Sequence, residues 1–253
     1  MAGPGGTVCW SVIDEALDLF LGGSCVGCDR PGRMLCVSCR RDLPTGAHVA
    51  WPSPTPPGLV PPWATASYDG AVRELVVGHK DRGQWSHRRV LGALLAGAVR
   101  AAAADLDPEV PVLLVPVPSR RGSGRQRGYE PTAAIVRTAA HLVRDRRVGV
   151  ADVLVSRGAV ADQAGLGAQQ RGDNVRHSMH CPSPILARVR RRWPVAHLLV
   201  CDDVVTTGAT AREAQRALEA VGLMPWAIAA VAATRRRTPG WTPGDGPALA
   251  ESR

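Results

Sequence analysis

Polar and apolar positions change character along this chain. Near the start, Trp10, Ile13, Leu17 and Phe20 recur at helical spacing around Asp14, Glu15 and Asp18, which predicts a short amphipathic helix over residues 10–21. Residues 51–62 then carry six prolines, too many for a helix or a central strand, and read as a semi-rigid linker. From residue 63 on, short apolar runs alternate with helical periodicity. The pattern predicts a strand or hairpin over 64–68, helices over 70–78 and 84–104, and a buried strand over 111–118. It continues with a helix over 131–146, a short strand over 152–155, a polar loop over 159–179, a second buried strand over 196–201, a helix over 208–221 and a last strand over 226–233. Such alternation belongs to an α/β fold with a mainly parallel sheet flanked by helices. The divisions are an N-terminal helix and cysteine segment (1–50), a proline-rich linker (51–62), an α/β domain (63–237) and a tail expected to be disordered (238–253).

Composition narrows the classes. The chain has 253 residues, 45% of them hydrophobic, enough for a core and too many for general disorder. Aromatics are 4%, which argues against a nucleic-acid reader built on stacking platforms. A net charge of +9 points to polyanionic partners, phosphorylated metabolites as well as nucleic acid. Lys80 is the only lysine among 31 basic residues, so a compact ammonium is singled out at that position, unless one lysine has survived by chance. The arginine runs 190–192 and 235–237 read as solvated surface or as polyanion contacts. No segment reaches the ~18 uninterrupted apolar residues of a membrane span. The first 22 residues lack Lys and Arg and do not read as a signal peptide, so no membrane insertion and a cytoplasmic location are expected.

In that compartment cysteines are metal ligands or core residues before they are disulfides. Four of the seven fall in Cys25-x2-Cys28-x7-Cys36-x2-Cys39, two hairpins that can close a tetrahedral zinc site with no open position; redox thiols are the competing reading. Cys201 and Cys181 read as packing residues, and no histidine pair has metal or triad spacing. His79 reads as a bystander.

The segment 197–213 is the richest in chemistry. A buried strand ends in Asp202 and Asp203, and Val204, Val205, Thr206, Thr207, Gly208, Ala209 and Thr210 follow into a helix. Backbone N–H groups and the Thr hydroxyls can surround a phosphate, and Gly208 permits close approach. The two carboxylates can accept from vicinal ribose hydroxyls, and the carboxyl ends of strands are where α/β sheets bind ligands.

Residues 200–210 resemble the phosphoribosyl pyrophosphate (PRPP) motif of type I phosphoribosyltransferases. The order of further segments narrows this to ComF-type proteins: Tyr68-Asp69-Gly70 leading to His79-Lys80-Asp81-Arg82-Gly83, then Val115-Pro116-Val117-Pro118-Ser119-Arg120-Arg121 with Arg125 and Arg127, then Arg157, Gln163, Arg171 and Asn174. The paired Cys-x-x-Cys motifs are similar to that family's zinc module. The resemblance covers residues 25–235 and departs at Glu130-Pro131.

It implies a type I phosphoribosyltransferase-like fold that binds PRPP with Mg²⁺. Asp202, Asp203, Lys80, Arg120 and Arg121 would act at the reacting centre, with Ser119, Arg125, Arg127 and residues 204–210 around the phosphates. Arg157, Gln163, Arg171 and Asn174 would lie on a flexible loop over the site. It also implies an alternative, a single-stranded DNA-binding protein of DNA uptake that keeps the PRPP site as a sensor or vestige. A homodimer stays open.

Overall fold

The computed structural model describes residues 24–119, 130–145, 147–157 and 177–234. The predicted helix at 10–21, Arg120, Arg121, Arg125, Arg127, Gln163, Arg171, Asn174, the arginine run 235–237 and the tail lie outside them.

The chain enters through a short helix α1 (Val37–Arg41) in the cysteine segment and a two-residue strand β1 (His48–Val49). It then builds β2 (Pro62–Ser67), α2 (Gly70–Asp81), α3 (Arg88–Ala102), β3 (Val112–Pro116), α4 (Pro131–Val143) and β4 (Val148–Val150). A two-stranded pair β5 (Val155–Ser156) and β6 (Met179–His180) precedes α5 (Ser183–Arg192), β7 (His197–Val205), α6 (Ala209–Glu219) and β8 (Pro225–Ala233). The main sheet has six strands in the order β1-β2-β8-β7-β3-β4, parallel except for the β1–β2 pair. The α/β class is the one the alternation predicts.

Every residue of β3 is buried, as is nearly all of β7 and β8, because both faces of the sheet are covered. Leu75 of α2, Leu91, Leu95 and Val99 of α3 and Ile135 of α4 fill one face. Ala214 and Leu218 of α6, with Leu59 of the proline-rich stretch, fill the other. No helix among the described residues is long and apolar enough to cross a membrane.

Besides the unpredicted α1, β1 and β6, three elements differ from the sequence expectation. The strand expected at 152–155 is β4 at 148–150 plus the short β5. β4 is an edge strand of half-buried residues, so it lacks a continuous apolar run, and Gly149 lets Leu113 and Trp193 pack against it. The helix α5 stands where the sequence shows only the arginine run 190–192. Its half-buried Ile185 and Val189 are outnumbered by exposed arginines. Finally, β7 runs on to Val205 instead of stopping at Cys201, so the two aspartates lie within the strand and not after it.

Candidate functional site

That extension of β7 makes the site. β3 pairs with β7 only as far as Pro116 opposite Cys201, with Val117 N–H closing on the Cys201 carbonyl at 2.9 Å. On its other side β7 continues against β8 through Asp202 opposite Ala230 to Val205 opposite Ala233. Residues 202–205 therefore have a neighbour on one edge and a notch on the other. The notch also lies where the topology turns: the chain leaves β3 towards β4 and leaves β7 towards β8, the switch point at which open α/β sheets form a crevice. A cleft of about 420 Å³ opens there, with Asp202, Asp203, Val204, Thr206 and Thr210 on one side and Val117, Pro118 and Ser119 on the other. Tyr68, Val76, Val77, Lys80, Asp81 and Thr132 complete its lining.

The carboxylates are held by their own strand. Asp202 Oδ1 accepts from Asp203 N–H at 2.8 Å and Asp203 Oδ1 from Val204 N–H at 2.9 Å. From the last turn of α2, Lys80 Nζ donates to Asp203 Oδ2 at 2.7 Å. Burial and the adjacent Asp203 carboxylate push Asp202 well above the ordinary carboxylate range, against the pull of Lys80. Burial pulls Lys80 down, but the charge and hydrogen bond of Asp203 outweigh it and hold the ammonium above its usual value. The structure thus joins the one lysine to the acidic pair across 123 residues of sequence.

The turn that follows takes Gly208 to φ 72°, a left-handed conformation that glycine adopts without strain. Gly208 is the N-cap of α6 and offers no side chain to its first-turn N–H groups; Thr207 Oγ1 reaches Ala209 N–H at 3.4 Å. Thr206 and Thr210 face the cleft, whereas Val205, Thr207, Gly208 and Ala209 are not among its lining. Ser119 faces it with a buried Oγ that has no hydrogen-bond partner among the described residues. Its backbone N–H donates to Glu130 at 3.4 Å, so the residue at which the resemblance departs is joined to Ser119.

Arg157 stands apart from the cleft lining, on the β5–β6 stem, its N–H donating to Ser178 O at 2.6 Å. Met179 N–H, on the same stem, donates to the buried Glu213 of α6 at 3.0 Å, which Arg216 also grips. Sequence reasoning missed Val76, Val77 and Thr132 as lining residues, and it passed over His79. That ring is buried, with Nε2 3.3 Å from the Pro131 carbonyl, and so braces α2 against the start of α4. The adjacency of His79 to Lys80 was the available signal. Cys201 is buried in β7, as expected of a packing residue.

The second centre is the cysteine segment. The four sulfurs of Cys25, Cys28, Cys36 and Cys39 lie within 4.8 Å of one another. Cys28 Sγ and Cys36 Sγ are 3.8 Å apart, far longer than a disulfide and close to the edge of a tetrahedron with metal–sulfur bonds of ~2.3 Å. Cys25 Sγ accepts from Cys36 N–H at 3.3 Å and Cys36 Sγ from Cys39 N–H at 3.5 Å, the support that thiolate ligands need. Burial would raise the Cys25 thiol, but the N–H groups of Cys36, Gly27 and Cys28 bring it down to about 6. Cys39, beside the sulfurs of Cys36 and Cys28, is pushed up to about 12. Four sulfurs this close suit a single tetrahedral cation, and the donor set fits zinc. Such a site has no open position, so its metal would supply cohesion and not catalysis.

Comparison with known proteins finds no family model and no curated sequence that matches this chain. The chemistry therefore rests on the arrangement itself: an acidic pair, an ammonium, hydroxyls and a helix start around a cleft with one apolar wall.

Proposed function

We propose that the cleft binds PRPP, in the manner of the ComF-type phosphoribosyltransferase-like proteins that the sequence resembles, and transfers its ribose 5-phosphate to a nitrogen acceptor with release of pyrophosphate. The observation that carries this reading is the position of Asp202 and Asp203, both nearly buried, on the unpaired edge of β7 directly before the Thr206–Thr210 turn. The carboxylates would accept from the ribose hydroxyls and the turn would hold the 5-phosphate. Mg²⁺, a hard ion taking oxygen donors from the carboxylates and the ligand's phosphates, would neutralise charge on the leaving pyrophosphate. Lys80 fixes Asp203 and adds positive charge beside the phosphates. Ser119 offers a hydroxyl to the pyrophosphate, and Arg120 and Arg121 follow it in sequence. As the C1–O bond breaks, positive charge grows on the ribose and the Asp203 carboxylate would stabilise it. The apolar wall of Tyr68, Val76, Val77 and Val117 suits a flat, weakly polar acceptor.

Calorimetry with Mg·PRPP tests the binding step. Asp202→Asn and Asp203→Asn together should lower affinity by at least ~10-fold, since each contact to a charged group is worth ~1.5–3 kcal/mol. Equal affinity in wild type and double variant, or no binding at millimolar ligand, would remove the reading. Pyrophosphate release across a panel of nucleobases tests the transfer step.

One surface favours a second reading, a single-stranded nucleic-acid contact. The exposed Arg188, Arg190, Arg191 and Arg192 of α5 carry no acidic neighbour within their helix, and Arg190 reaches the Val221 carbonyl. Shortly beyond, Met224 and Trp226 are exposed. Neutralising 190–192 should flatten the salt dependence of single-strand binding, whose slope is ~−0.7 per neutralised phosphate; an unchanged slope would discard this surface.

A further inference from the structure

The proline-rich stretch lines no part of the cleft, yet it touches the phosphate turn from behind. A Cβ on Gly208 would come within 2.9 Å of Pro52 Cγ, 3.2 Å of Leu59 Cδ2 and 3.3 Å of Pro56 Cδ. Pro52 and Leu59 are buried, and Thr55 Oγ1 donates to Pro52 O at 2.8 Å to close the turn between them. Prolines lack N–H groups, so such a stretch can be held mainly through its carbonyls. Two side chains of α6 do this. Gln215, 2% exposed, donates from Nε2 to Gly58 O at 2.8 Å and to Glu219 Oε1 at 2.7 Å, and accepts Val60 N–H on Oε1 at 3.1 Å. Arg212 Nε donates to Pro57 O at 3.0 Å, its Nη1 to Glu219 at 3.1 Å.

We propose that Gln215 and Arg212 are positioning residues for the phosphate turn: by bolting residues 57–60 to α6 they hold Pro52, Pro56 and Leu59 as a wall behind Gly208, and the wall fixes residues 206–210 in the shape that receives a phosphate. The helix that begins at the turn thereby braces the turn against itself, through a loop some 150 residues away in sequence. A Thr- and Gly-containing turn is otherwise free to sample several backbone conformers, and ordering it at the moment of binding would weaken affinity. Fixed φ angles in the prolines carry the anchor at 57–60 along to Pro56 and Pro52. The substrate group affected is the terminal phosphate of a sugar phosphate alone, because the wall stands behind Gly208, whereas Ser119 follows β3 and Lys80 lies in the last turn of α2. This inference rests on the reading of the turn as a phosphate subsite.

The test uses the full chain, ribose 5-phosphate, and Mg²⁺ with inorganic pyrophosphate as separate calorimetric probes. Gln215→Met should bind ribose 5-phosphate about tenfold more weakly and leave pyrophosphate binding unchanged, and Arg212→Met should do the same to a smaller degree. Amide exchange should quicken at residues 207–211 more than at β7. Leu95→Ala, in the core on the opposite face, serves as the control: it lowers the melting temperature without altering the ratio of the two affinities. Wild-type affinity for ribose 5-phosphate in Gln215→Met, or a parallel loss for both probes, would overturn the positioning role. If wild type binds pyrophosphate but not ribose 5-phosphate, or binds neither, the subsite reading itself falls, and this inference with it.

Discussion

The four cysteines stand on a segment with almost no core of its own, whereas Asp202 and Asp203 stand on a strand buried nearly from end to end. Between residues 24 and 43 Cys25 is the one buried residue, and α1 buries none of its five. β7 lies between two parallel neighbours and under helices on both faces. The first region has its sulfurs close together and only the half-buried Val26, Leu35 and Leu43 docked on the main core, so a bound ion would do most of the holding. The second has its charged groups fixed by the sheet before any ligand arrives, at the cost of keeping carboxylates away from water. A site of the first kind is broken by removing its ligand, and a site of the second kind is strained by possessing its own charges.

Metal removal should give the largest effect. A chelator, or Cys36→Ser, should erase amide protection across residues 24–43, since structural zinc sites are worth ~10–16 kcal/mol to the segment that forms them. The protection of β3, β7 and β8 should survive, and Mg·PRPP affinity should change by no more than about twofold. Freshly reduced protein should contain one zinc per chain by elemental analysis. Absence of zinc, or collapse of the whole sheet on chelation, would break the contrast.

A substitution that leaves all four thiols in place sharpens it. At Gly27 a Cβ would lie 2.9 Å from Cys39 Sγ and 3.1 Å from Cys39 Cβ. Gly27→Ala should therefore spread the ligand set and weaken metal retention by about 1–3 kcal/mol, the usual scale of overpacking. Competition with a chromogenic chelator reads this directly, and an unaltered competition curve would show that the knuckle yields freely.

How far these regions were legible in the sequence follows the same division. Spacing alone brought Cys25, Cys28, Cys36 and Cys39 together, because a four-sulfur cluster made of two local Cys-x-x-Cys motifs is written in short-range order. The buried strands β3, β7 and β8 were legible as apolar runs, and the segment 202–210 as a passage from a strand into a helix. Long-range geometry was not legible. Nothing local says that Lys80 meets Asp203, that Glu130 meets Ser119, or that Gln215 grips the prolines. The edge strand β4 escaped because its residues are half-buried, and α5 because arginines on its exposed face mask an apolar stripe of two or three residues. The extent of β7 was missed for a more instructive reason. Two aspartates look like the end of a strand by propensity, yet pairing with β8 carries the strand through them.

The smallest effect expected, and the one most particular to the cleft, is a pH dependence of stability. Burial, then the neighbouring Asp203 carboxylate, raise Asp202 in the folded state well above its ordinary value. The folded protein therefore keeps a proton that the unfolded chain releases. The stability from this group is fully present below the unfolded carboxylate value, and it is lost as pH rises from there towards the folded-state value. An amide at this position carries no charge to desolvate. Asp202→Asn should remove this part of the pH slope and, at neutral pH, raise the melting temperature by about 2–4 °C, the size of ~1 kcal/mol in a chain of this length. Asp152→Asn, which alters an exposed pair with Arg137, should move it little. The same Asp202→Asn protein should be the one that binds Mg·PRPP poorly, stabler and less able at once. A wild-type stability that climbs with pH across that window, or an Asp202→Asn protein that melts lower at neutral pH, would show that the carboxylate is stabilised where it stands, and that the cleft, like the cysteine cluster, is held together by its charged groups.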